Sequence, residues 1–504
     1  MLASTYTVAF DGLVARPVKV ECALAPGLPS FSIVGLPSKA ISEAKDRVRA
    51  ALAHLNVAMP SKRITINLSP ADLPKTGAHF DLPIAAAILA AIDMLPQDKV
   101  ARIMSLGELS LSGKLIPIKG ALPAAVTAGT LETELYCPEE CSTEAAWVGA
   151  TRVFGVSSLA ALLAHFTGAK PLAQAHPAHL APIQHDRDLC DIRGQARAKR
   201  ALEIAAAGRH HLLMVGSPGC GKSMIAARLP SILPDLTPAE ALETSMVHSI
   251  AGLLGEGGIA RTRPFRDPHH TASMPALVGG GKGAGPGEIS LAHNGVLFMD
   301  EFPEYQRQTL ESLRQPLENG EVVVSRANAH VRYPCRFLLI AAANPCRCGH
   351  LYDANLACGR APICGADYIE KISGPLLDRF DLRIEMLQVP ADELKREPTG
   401  DSSAQVAERV AAARAIQTER YASIDNTHTN SDCEGEVLMD VCRPTQAGQA
   451  MLDLATERFS LSARGYHRVL RVSRTIADLA GDLDVDTAHI GEALSYRLVA
   501  APKV

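Results

Sequence analysis

The residues best suited to chemistry lie in a glycine-rich turn near the middle of the chain. The turn follows the apolar run 211–215, which is typical of a buried strand, and precedes a helical segment that begins at residue 224. Its spacing, Gly216-x4-Gly221-Lys222-Ser223, is that of a P-loop. In such a loop backbone N–H groups wrap phosphates at a helix N-terminus, the lysine reaches the β and γ oxygens, and the serine ligates Mg²⁺. The sequence therefore predicts an ATP and Mg²⁺ site formed by Gly216, Ser217, Pro218, Gly219, Cys220, Gly221, Lys222 and Ser223, in which Cys220 has no assigned role.

Two further strands end in residues that hydrolysis needs. The apolar run 295–299 ends in Asp300 and Glu301, and the run 337–341 leads to Asn344. We expect Asp300 to hold Mg²⁺, Glu301 to polarise the attacking water, and Asn344 to orient that water. Paired acids at a strand end can also form only a solvated turn, but a P-loop upstream favours the catalytic interpretation.

Four cysteines lie close together downstream of Asn344. The pattern Cys346-x-Cys348-x9-Cys358-x5-Cys364 places four of the twelve cysteines within nineteen residues. Four thiolates can close a tetrahedral Zn²⁺ site, and His350 is a reserve ligand. The spacing departs from the common Cys-x2-Cys form, so four reduced thiols in a loop remain the alternative.

Composition limits the class of protein. A length of 504 residues suggests about three domains, and 47% hydrophobic content can fill sizeable cores. Apolar runs such as 82–95 are broken by proline and acid, and the N-terminus lacks a secretory pattern, so we expect a cytoplasmic protein without a membrane span. A net charge of −4 argues against a general nucleic-acid coat and leaves DNA contacts to local basic loops.

The chain divides by pattern into four segments. Residues 1–168 alternate strand-like and helical stretches and predict an α/β domain. Residues 169–189 carry Pro171, Pro177 and Pro182 and predict a linker, whose histidines 176, 179 and 185 we treat as polar linker residues. Residues 190–395 contain the nucleotide motifs, and residues 396–504 are predicted to be helical.

The N-terminal segment resembles the Lon-type protease domain, which has a ribosomal-protein-S5-like fold. The resemblance rests on Pro-Lys-Thr-Gly-Ala-His-Phe-Asp at 74–81 and on the stretch 107–120. That family uses a Ser-Lys dyad, and the matching positions here are His79 and Leu122. Neither supplies its part of the dyad, so the resemblance implies a proteolytically inactive domain. Ser110 and Lys114 lie nearby and are expected to belong to a hairpin.

The sequence Gly-Pro-Leu-Leu-Asp-Arg-Phe-Asp at 374–381 extends the resemblance. Together with the P-loop, the Asp-Glu strand and Asn344 it resembles AAA+ ATPases of the magnesium-chelatase and MCM-helicase branch. The runs 263–271 (Arg-Pro-Phe-Arg-Asp-Pro-His-His-Thr) and 287–295 narrow this to the YifB/ComM family of magnesium-chelatase-like proteins. The implied fold class is α/β, with a Lon-like domain, an AAA+ P-loop core and a C-terminal helical lid.

The resemblance also assigns residues at a subunit interface. Arg379 matches the arginine finger, which reaches the γ-phosphate held by a neighbouring subunit, so a ring is expected, with a hexamer as its form. Arg464, in Ser-Ala-Arg-Gly-Tyr at 462–466, matches the sensor-2 arginine, and Arg468 and Arg471 share its helix face. The competing interpretations are an Asp378–Arg379 surface pair and a solvated basic stripe.

By this resemblance the motor acts on DNA, in branch migration during the recombination of incoming single strands in natural transformation. The expected DNA contacts are Arg326 and Arg332 on the hairpin 321–333 and Lys282 in a glycine-rich insert. The alternatives are a chelatase-like ATPase for metal insertion or protein assembly, an ATP-dependent protease, and a module that only binds nucleotide.

Overall fold

The computed structural model describes residues 1–178, 186–255, 257–281, 284–326, 329–351, 356–395 and 400–497. Within these residues the two largest sheets hold seven and five strands, and the chain from residue 403 to 495 is helical. The predicted mixed α/β fold class with a helical C-terminal region is confirmed. The predicted domain boundaries stay predictions, and residues 179–185 of the predicted linker, with His179 and His185, lie outside the described part.

The N-terminal sheet is mixed. Leu2–Asp11 and Val14–Ala25 pair antiparallel from Leu2↔Ala23 to Asp11↔Val14, and Gly12, with φ of 64°, opens the two-residue turn between them. The strand order is Ser30–Val34, Arg63–Ser69, Val14–Ala25, Leu2–Asp11, Ile103–Ser105, Glu134–Pro138 and Val153–Val156. The α-helices of this part are Lys39–His54, Asp81–Ala91, Gln97–Val100, Ala121–Thr130, Glu139–Ala146 and Leu159–Phe166.

The second sheet is parallel and carries the nucleotide motifs. Its three inner strands are almost entirely apolar and buried, as expected for a sheet covered on both faces. The strand order is Phe265–Arg266, Val296–Met299, Leu338–Ala343, Leu212–Gly216 and Leu382–Met386. Because parallel strands end at one edge, the P-loop, Asp300 and Asn344 meet there.

Helices surround this sheet and continue into the C-terminal part. Those between residues 196 and 395 are Ala196–Gly208, Lys222–Ala226, Pro238–Ala251, Met274–Val278, Glu288–Leu291, Arg307–Ser312, Arg314–Asn319, Ile363–Ile369, Gly374–Leu377 and Ala391–Lys395. The C-terminal helices are Ser403–Arg420, Gly435–Val441, Gln446–Phe459, Ala463–Ala480 and Thr487–Ser495. Serine side chains at 402 and 462 accept hydrogen bonds from backbone N–H groups and so cap two of them. A shared apolar core joins these helices to the parallel sheet.

Three short antiparallel pairs complete the described elements: Glu108–Leu109 with Leu115–Ile116, Gly279–Gly280 with Gly285–Pro286, and Glu321–Arg326 with Ala329–Pro334. The first confirms the predicted hairpin around Ser110 and Lys114, and the third confirms the predicted hairpin at 321–333. None of the helices among the described residues has both the length and the apolar character required to cross a membrane.

The N-terminal part contacts the helix Pro238–Ala251 and the loop after it. Trp147 Nε1 donates a hydrogen bond to the Gly257 carbonyl at 2.6 Å, and Lys119 Nζ donates to the Ala251 carbonyl at 3.0 Å. Glu144 accepts hydrogen bonds from the Ser249 hydroxyl and from the backbone N–H of Leu122 in the N-terminal part. Burial raises the pKa of the Glu144 carboxyl, although both hydrogen bonds oppose that rise.

Candidate functional site

The P-loop joins the strand Leu212–Gly216 to the helix Lys222–Ala226. Gly219 and Gly221 have φ of 77° and 95°, a backbone region that favours glycine. A Cβ built at either glycine would meet no heavy atom within 4 Å, whereas one at Gly216 would lie 2.5 Å from the Met386 carbonyl oxygen. The loop therefore leaves room in front of its backbone, and this cradle fits a phosphate chain.

Lys222 lies at the centre of the cradle. Its Nζ donates hydrogen bonds to the carbonyl oxygens of Gly216 at 2.7 Å and Ser217 at 3.1 Å. It also donates to Asn344 Oδ1 at 3.2 Å. The structure thus brings together two predicted site residues that follow neighbouring strands. The side chain of Lys222 is buried beside the space in which phosphates would bind.

The two predicted oxygen ligands for Mg²⁺ lie at the same edge. Ser223 Oγ donates a hydrogen bond to Asp300 Oδ2 at 2.6 Å, and Asp300 Oδ1 accepts one from the Glu301 backbone at 2.8 Å. A hydroxyl and a carboxylate this close suit adjacent positions around a hard cation that prefers oxygen. The donor set present therefore fits Mg²⁺.

Glu301 has a partner that sequence reasoning missed. Its backbone is left-handed, with φ of 49°, and its Oε2 lies 3.0 Å from His270 Nδ1. The run 263–271 served only as a family marker in the sequence, and no role was predicted for either of its histidines. The available signal was a pair of consecutive histidines shortly after a strand that neighbours the Asp-Glu strand.

The cysteine loop forms a compact thiol cluster. Cys346, Cys348 and Cys364 place their sulfurs within 4.8 Å of one another, and the first two are 3.0 Å apart. This ligand group contains neither Cys358 nor the His350 ring among the described residues. Hydrogen bonds from Cys346, from the His350 backbone and from Cys358 lower the pKa of the Cys348 thiol to about 6. Three of the four predicted ligands are thus brought together in a cluster compatible with Zn²⁺.

The same loop touches the P-loop. Gly349 has φ of 82°, and a Cβ built there would lie 2.7 Å from the Pro218 ring. The backbone of the cysteine loop therefore packs directly against the phosphate cradle, at a position where only glycine fits without displacement.

The two arginines predicted to lie at a subunit interface are in a different place. Arg379 and Arg464 line a cavity of about 1030 Å³, and none of the P-loop residues 216–223 lines it. Arg379 forms an ion pair with Glu318. Burial, followed by the nearby positive charge of Arg464, lowers the pKa of Arg379. The structure thus brings these two arginines together and holds them apart from the phosphate cradle of their own chain.

The structure contradicts the first alternative interpretation of the arginines and part of the second. Asp378 pairs with Arg383 at 3.8 Å and with Arg468 at 3.7 Å, whereas Arg379 pairs with Glu318, so no Asp378–Arg379 surface pair forms among the described contacts. The alternative of a solvated stripe fails at Arg468, which is buried and pairs with Asp381 at 3.4 Å, whereas the exposed Arg464 is compatible with it. The helix Ala463–Ala480 packs the Arg468 side chain against the end of the parallel sheet and away from water.

The positions that match the protease dyad are closed. His79 is buried, its Nε2 lies 2.9 Å from the Val8 carbonyl oxygen, and its ring packs beside Phe10 and Phe80. Burial lowers its pKa to about 4. Leu122 is fully buried. The Ser110 hydroxyl accepts a hydrogen bond from the Lys114 backbone, so it belongs to its hairpin.

The candidate DNA contacts are described only in part. The Arg332 side chain is 77% exposed and pairs weakly with Glu321 at 3.9 Å. The Arg326 side chain and all of Lys282 lie outside the described part. Val322, Val324, Val331 and Tyr333 bury the inner face of the hairpin in the core around the parallel sheet.

Comparisons with known proteins cover nearly the whole chain. Three family models match: magnesium chelatase, subunit ChlI, over residues 188–394; subunit ChlI of Mg-chelatase over 20–140; and its C-terminal region over 400–497. The chain is 44% identical to competence protein ComM of Haemophilus influenzae over 502 residues, which cover 98% of this chain and 97% of that protein. It is 40% identical to YifB of Escherichia coli over 499 residues, or 99% and 97% of the two chains. The magnesium-chelatase 38 kDa subunit of Rhodobacter capsulatus is 26% identical over 62% of this chain and 87% of its own length.

Proposed function

Because the chain belongs to the YifB/ComM family of magnesium-chelatase-like AAA+ ATPases, we propose that it is an ATP-hydrolysing ring motor that acts on DNA. Its role is branch migration during the recombination of incoming single strands in natural transformation. The observation that carries the hydrolysis is the meeting of Lys222, the Ser223–Asp300 pair and Glu301 at one sheet edge. The assignment to DNA is supported by the likeness to a competence protein over the full chain.

Each residue at this edge has a distinct task. Lys222 releases its carbonyl partners to contact phosphate oxygens, and Ser223 and Asp300 supply oxygen ligands to Mg²⁺. When bound there, Mg²⁺ would neutralise charge that develops on the phosphates. Glu301 accepts a proton from the attacking water, and Asn344, held by Lys222, orients that water. Preorganised charge of this kind is the usual source of catalysis in phosphoryl transfer.

Arg379 and Arg464 complete the site of a neighbouring subunit. They line a cavity apart from the P-loop of their own chain, so a contact with γ-phosphate is made across an interface. Each chain then offers a P-loop on one face and two arginines on another, an arrangement that closes as a ring, and we propose a hexamer. The ion pair with Glu318 holds Arg379 until the neighbour binds nucleotide.

The thiol cluster holds a structural Zn²⁺. Cys346, Cys348 and Cys364 supply three thiolates, and Cys358, which hydrogen-bonds Cys348, is the fourth ligand. Such a site stabilises its loop through metal-coupled folding. The N-terminal part is not a protease, because His79 and Leu122 are buried and offer no nucleophile with an adjacent base.

A chelatase-like function in metal insertion or protein assembly is the second candidate. The observation in its favour is the likeness to the magnesium-chelatase 38 kDa subunit, which extends over 87% of that protein. Both functions use the same ATPase chemistry, so only the substrate that the motor moves can separate them.

The experiment measures ATP hydrolysis by the purified full chain with and without single-stranded and branched DNA, together with movement of a four-way junction. We expect DNA to stimulate hydrolysis and the junction to migrate, and we expect E301Q to bind ATP without turnover. The double variant R326A/R332A should keep its basal ATPase activity but weaken single-strand binding and shift its salt dependence, because two phosphate contacts per subunit are lost. The matched control R16A removes an arginine on the N-terminal sheet that is exposed, as Arg332 is. A wild-type protein that hydrolyses ATP but never moves a junction would favour the chelatase-like candidate.

A further inference from the structure

The loop after the strand Phe265–Arg266 carries two adjacent histidines, and the second of them reaches the proposed base. His270 Nδ1 lies 3.0 Å from Glu301 Oε2, and both side chains are partly exposed at the same edge of the sheet. We propose that His270 is a positioning residue that orients the Glu301 carboxylate toward the attacking water. This inference rests on the proposed ATP hydrolysis and adds to it a residue that no motif assigned.

The loop that carries His270 is fixed at two positions that precede the histidine. At its start Arg266 forms two hydrogen bonds with the Glu288 carboxylate, from Nε at 2.6 Å and from Nη2 at 2.8 Å. Further along, the Tyr305 hydroxyl donates to the Pro268 carbonyl. Tyr305 lies in the same short segment as Glu301, so this bond ties the histidine loop directly to the segment that follows the base.

Glu301 is also fixed at its backbone. Its φ of 49° lies in the left-handed region, which a non-glycine residue adopts only where its surroundings hold it there. The Glu301 N–H donates to Asp300 Oδ1 at 2.8 Å, and the next residue, Phe302, is buried in the core. The Cα position is therefore determined, and the remaining freedom lies in the rotation of the carboxylate.

His270 removes that freedom. The Nδ1–H donates to Oε2, which leaves Oε1 of the same carboxylate to accept a proton from water. A base held by a third group in this way is a recurrent arrangement in active sites. Because a displacement of about 1 Å can cost on the order of a hundredfold in rate, fixing the carboxylate matters for turnover and not for nucleotide affinity.

The test compares steady-state kcat and KM for ATP in the full-length protein. H270A should lower kcat by roughly tenfold to hundredfold and leave KM for ATP unchanged. H270N should recover much of the loss, because the asparagine amide nitrogen occupies the position of Nδ1. H270Q should recover little, because its amide nitrogen occupies the position of Nε2, which is not the atom that contacts Glu301.

Two controls separate positioning from loop stability. The His269 ring lies beside that of His270, tilted by 34° with centroids 4.2 Å apart, but its Nδ1 pairs with Thr271, so H269A should keep a kcat close to wild type. In the E301Q background, H270A should have no further effect on the residual rate, because the group it orients is already gone.

The outcomes are distinct. A wild-type kcat in H270A overturns the inference, and so does equal recovery by H270N and H270Q. If H270A, H270N and H270Q all lose kcat in proportion to a lowered melting temperature, His270 has a structural role and the inference is also overturned. If the wild-type protein itself hydrolyses no ATP, the proposed function fails together with the inference, whereas a normal wild-type rate confines any failure to His270.

Discussion

Two regions of this chain resemble motifs of catalytic families, and they differ in how far their key side chains are buried. At the protease-like positions His79 is enclosed by Phe10 and Phe80, and Leu122 is fully buried. At the P-loop edge Glu301 stays half exposed, and open space lies in front of Gly219 and Gly221. Of these two regions, only the P-loop edge combines access to solvent with a reactive partner, so a shared backbone pattern does not by itself make a catalytic site.

The largest effect on ATPase activity should come from variants that remove either the P-loop lysine or the arginine that a neighbouring subunit is proposed to supply. R379A should keep ATP binding but lose about 10³–10⁵ in hydrolysis rate, because a planar cation no longer offsets transition-state charge. K222A should lose nucleotide binding. Mixing the two variants should restore part of the ATPase activity, because some interfaces of a mixed ring combine an intact P-loop with an intact Arg379. The measurement is ATPase activity against mixing ratio.

The matched control for this experiment is R360A, which removes an exposed arginine paired with Asp367. An exposed pair contributes about 0.2–1 kcal/mol at most, so this variant should hydrolyse ATP normally. Complete absence of rescue in rings shown to contain both variants would argue that Arg379 acts within its own chain, against the separation of its cavity from the P-loop.

The difference between the two regions also explains what the sequence could predict. The P-loop is local, since the residues that form the cradle are consecutive, and a strand followed by Asp300 and Glu301 is local too. Contacts between segments that are distant in the sequence could not be predicted from it. The pairing of His270 with Glu301 and the burial of Arg468 against Asp381 both depend on how distant segments pack.

The site residues stay predictions, and how directly the sequence supports each one depends on whether it lies within a continuous motif. Motif spacing fixes which atoms face a phosphate, because the backbone that presents them is continuous. It says nothing of a side chain that arrives from a separate loop. Likewise, the sequence places Arg468 on one helix face with Arg464 and Arg471, but it does not show that the packing of Ala463–Ala480 turns Arg468 toward the sheet.

An intermediate effect should follow from emptying the thiol cluster. The purified wild-type protein should contain about one Zn²⁺ per chain, and C346S/C348S should lose it and melt at a lower temperature, because metal binding is coupled to folding of the loop. Gly349 packs on Pro218, so the same variant should also bind ATP more weakly. Elemental analysis and a nucleotide titration make the two measurements.

The matched control is C190S, a partly exposed cysteine outside the cluster, which should leave both zinc content and ATP affinity unchanged. Protein prepared without chelators that holds no zinc would contradict the metal site. Zinc loss with unchanged ATP affinity would keep the site but remove its link to the phosphate cradle.

The smallest expected effect is on the pH dependence of stability and concerns His79. It tests whether the positions that match the protease dyad are fully enclosed in the hydrophobic core. Burial lowers the pKa of His79 to about 4, whereas an unfolded histidine titrates near 6.5. The folded state therefore binds fewer protons than the unfolded state between these values, so stability present above pH 6.5 is lost as the pH falls toward 4. For this one group the loss between pH 7 and pH 5 is about 2 kcal/mol.

H79Q removes the titrating group but keeps a side-chain donor near the Val8 carbonyl, so its unfolding free energy should fall less between pH 7 and pH 5 than that of the wild type. His211, whose pKa burial also lowers to about 4, is present in both proteins and cancels in this difference. H176Q, which changes an exposed histidine, should retain the full wild-type pH dependence. ATPase activity at pH 7 should be unchanged in H79Q, in contrast to H270A, since only His270 contacts the proposed catalytic base, Glu301. An equal pH dependence in wild type and H79Q would mean that His79 is hydrated, and that the protease-like region is more open than its packing against Phe10 and Phe80 implies.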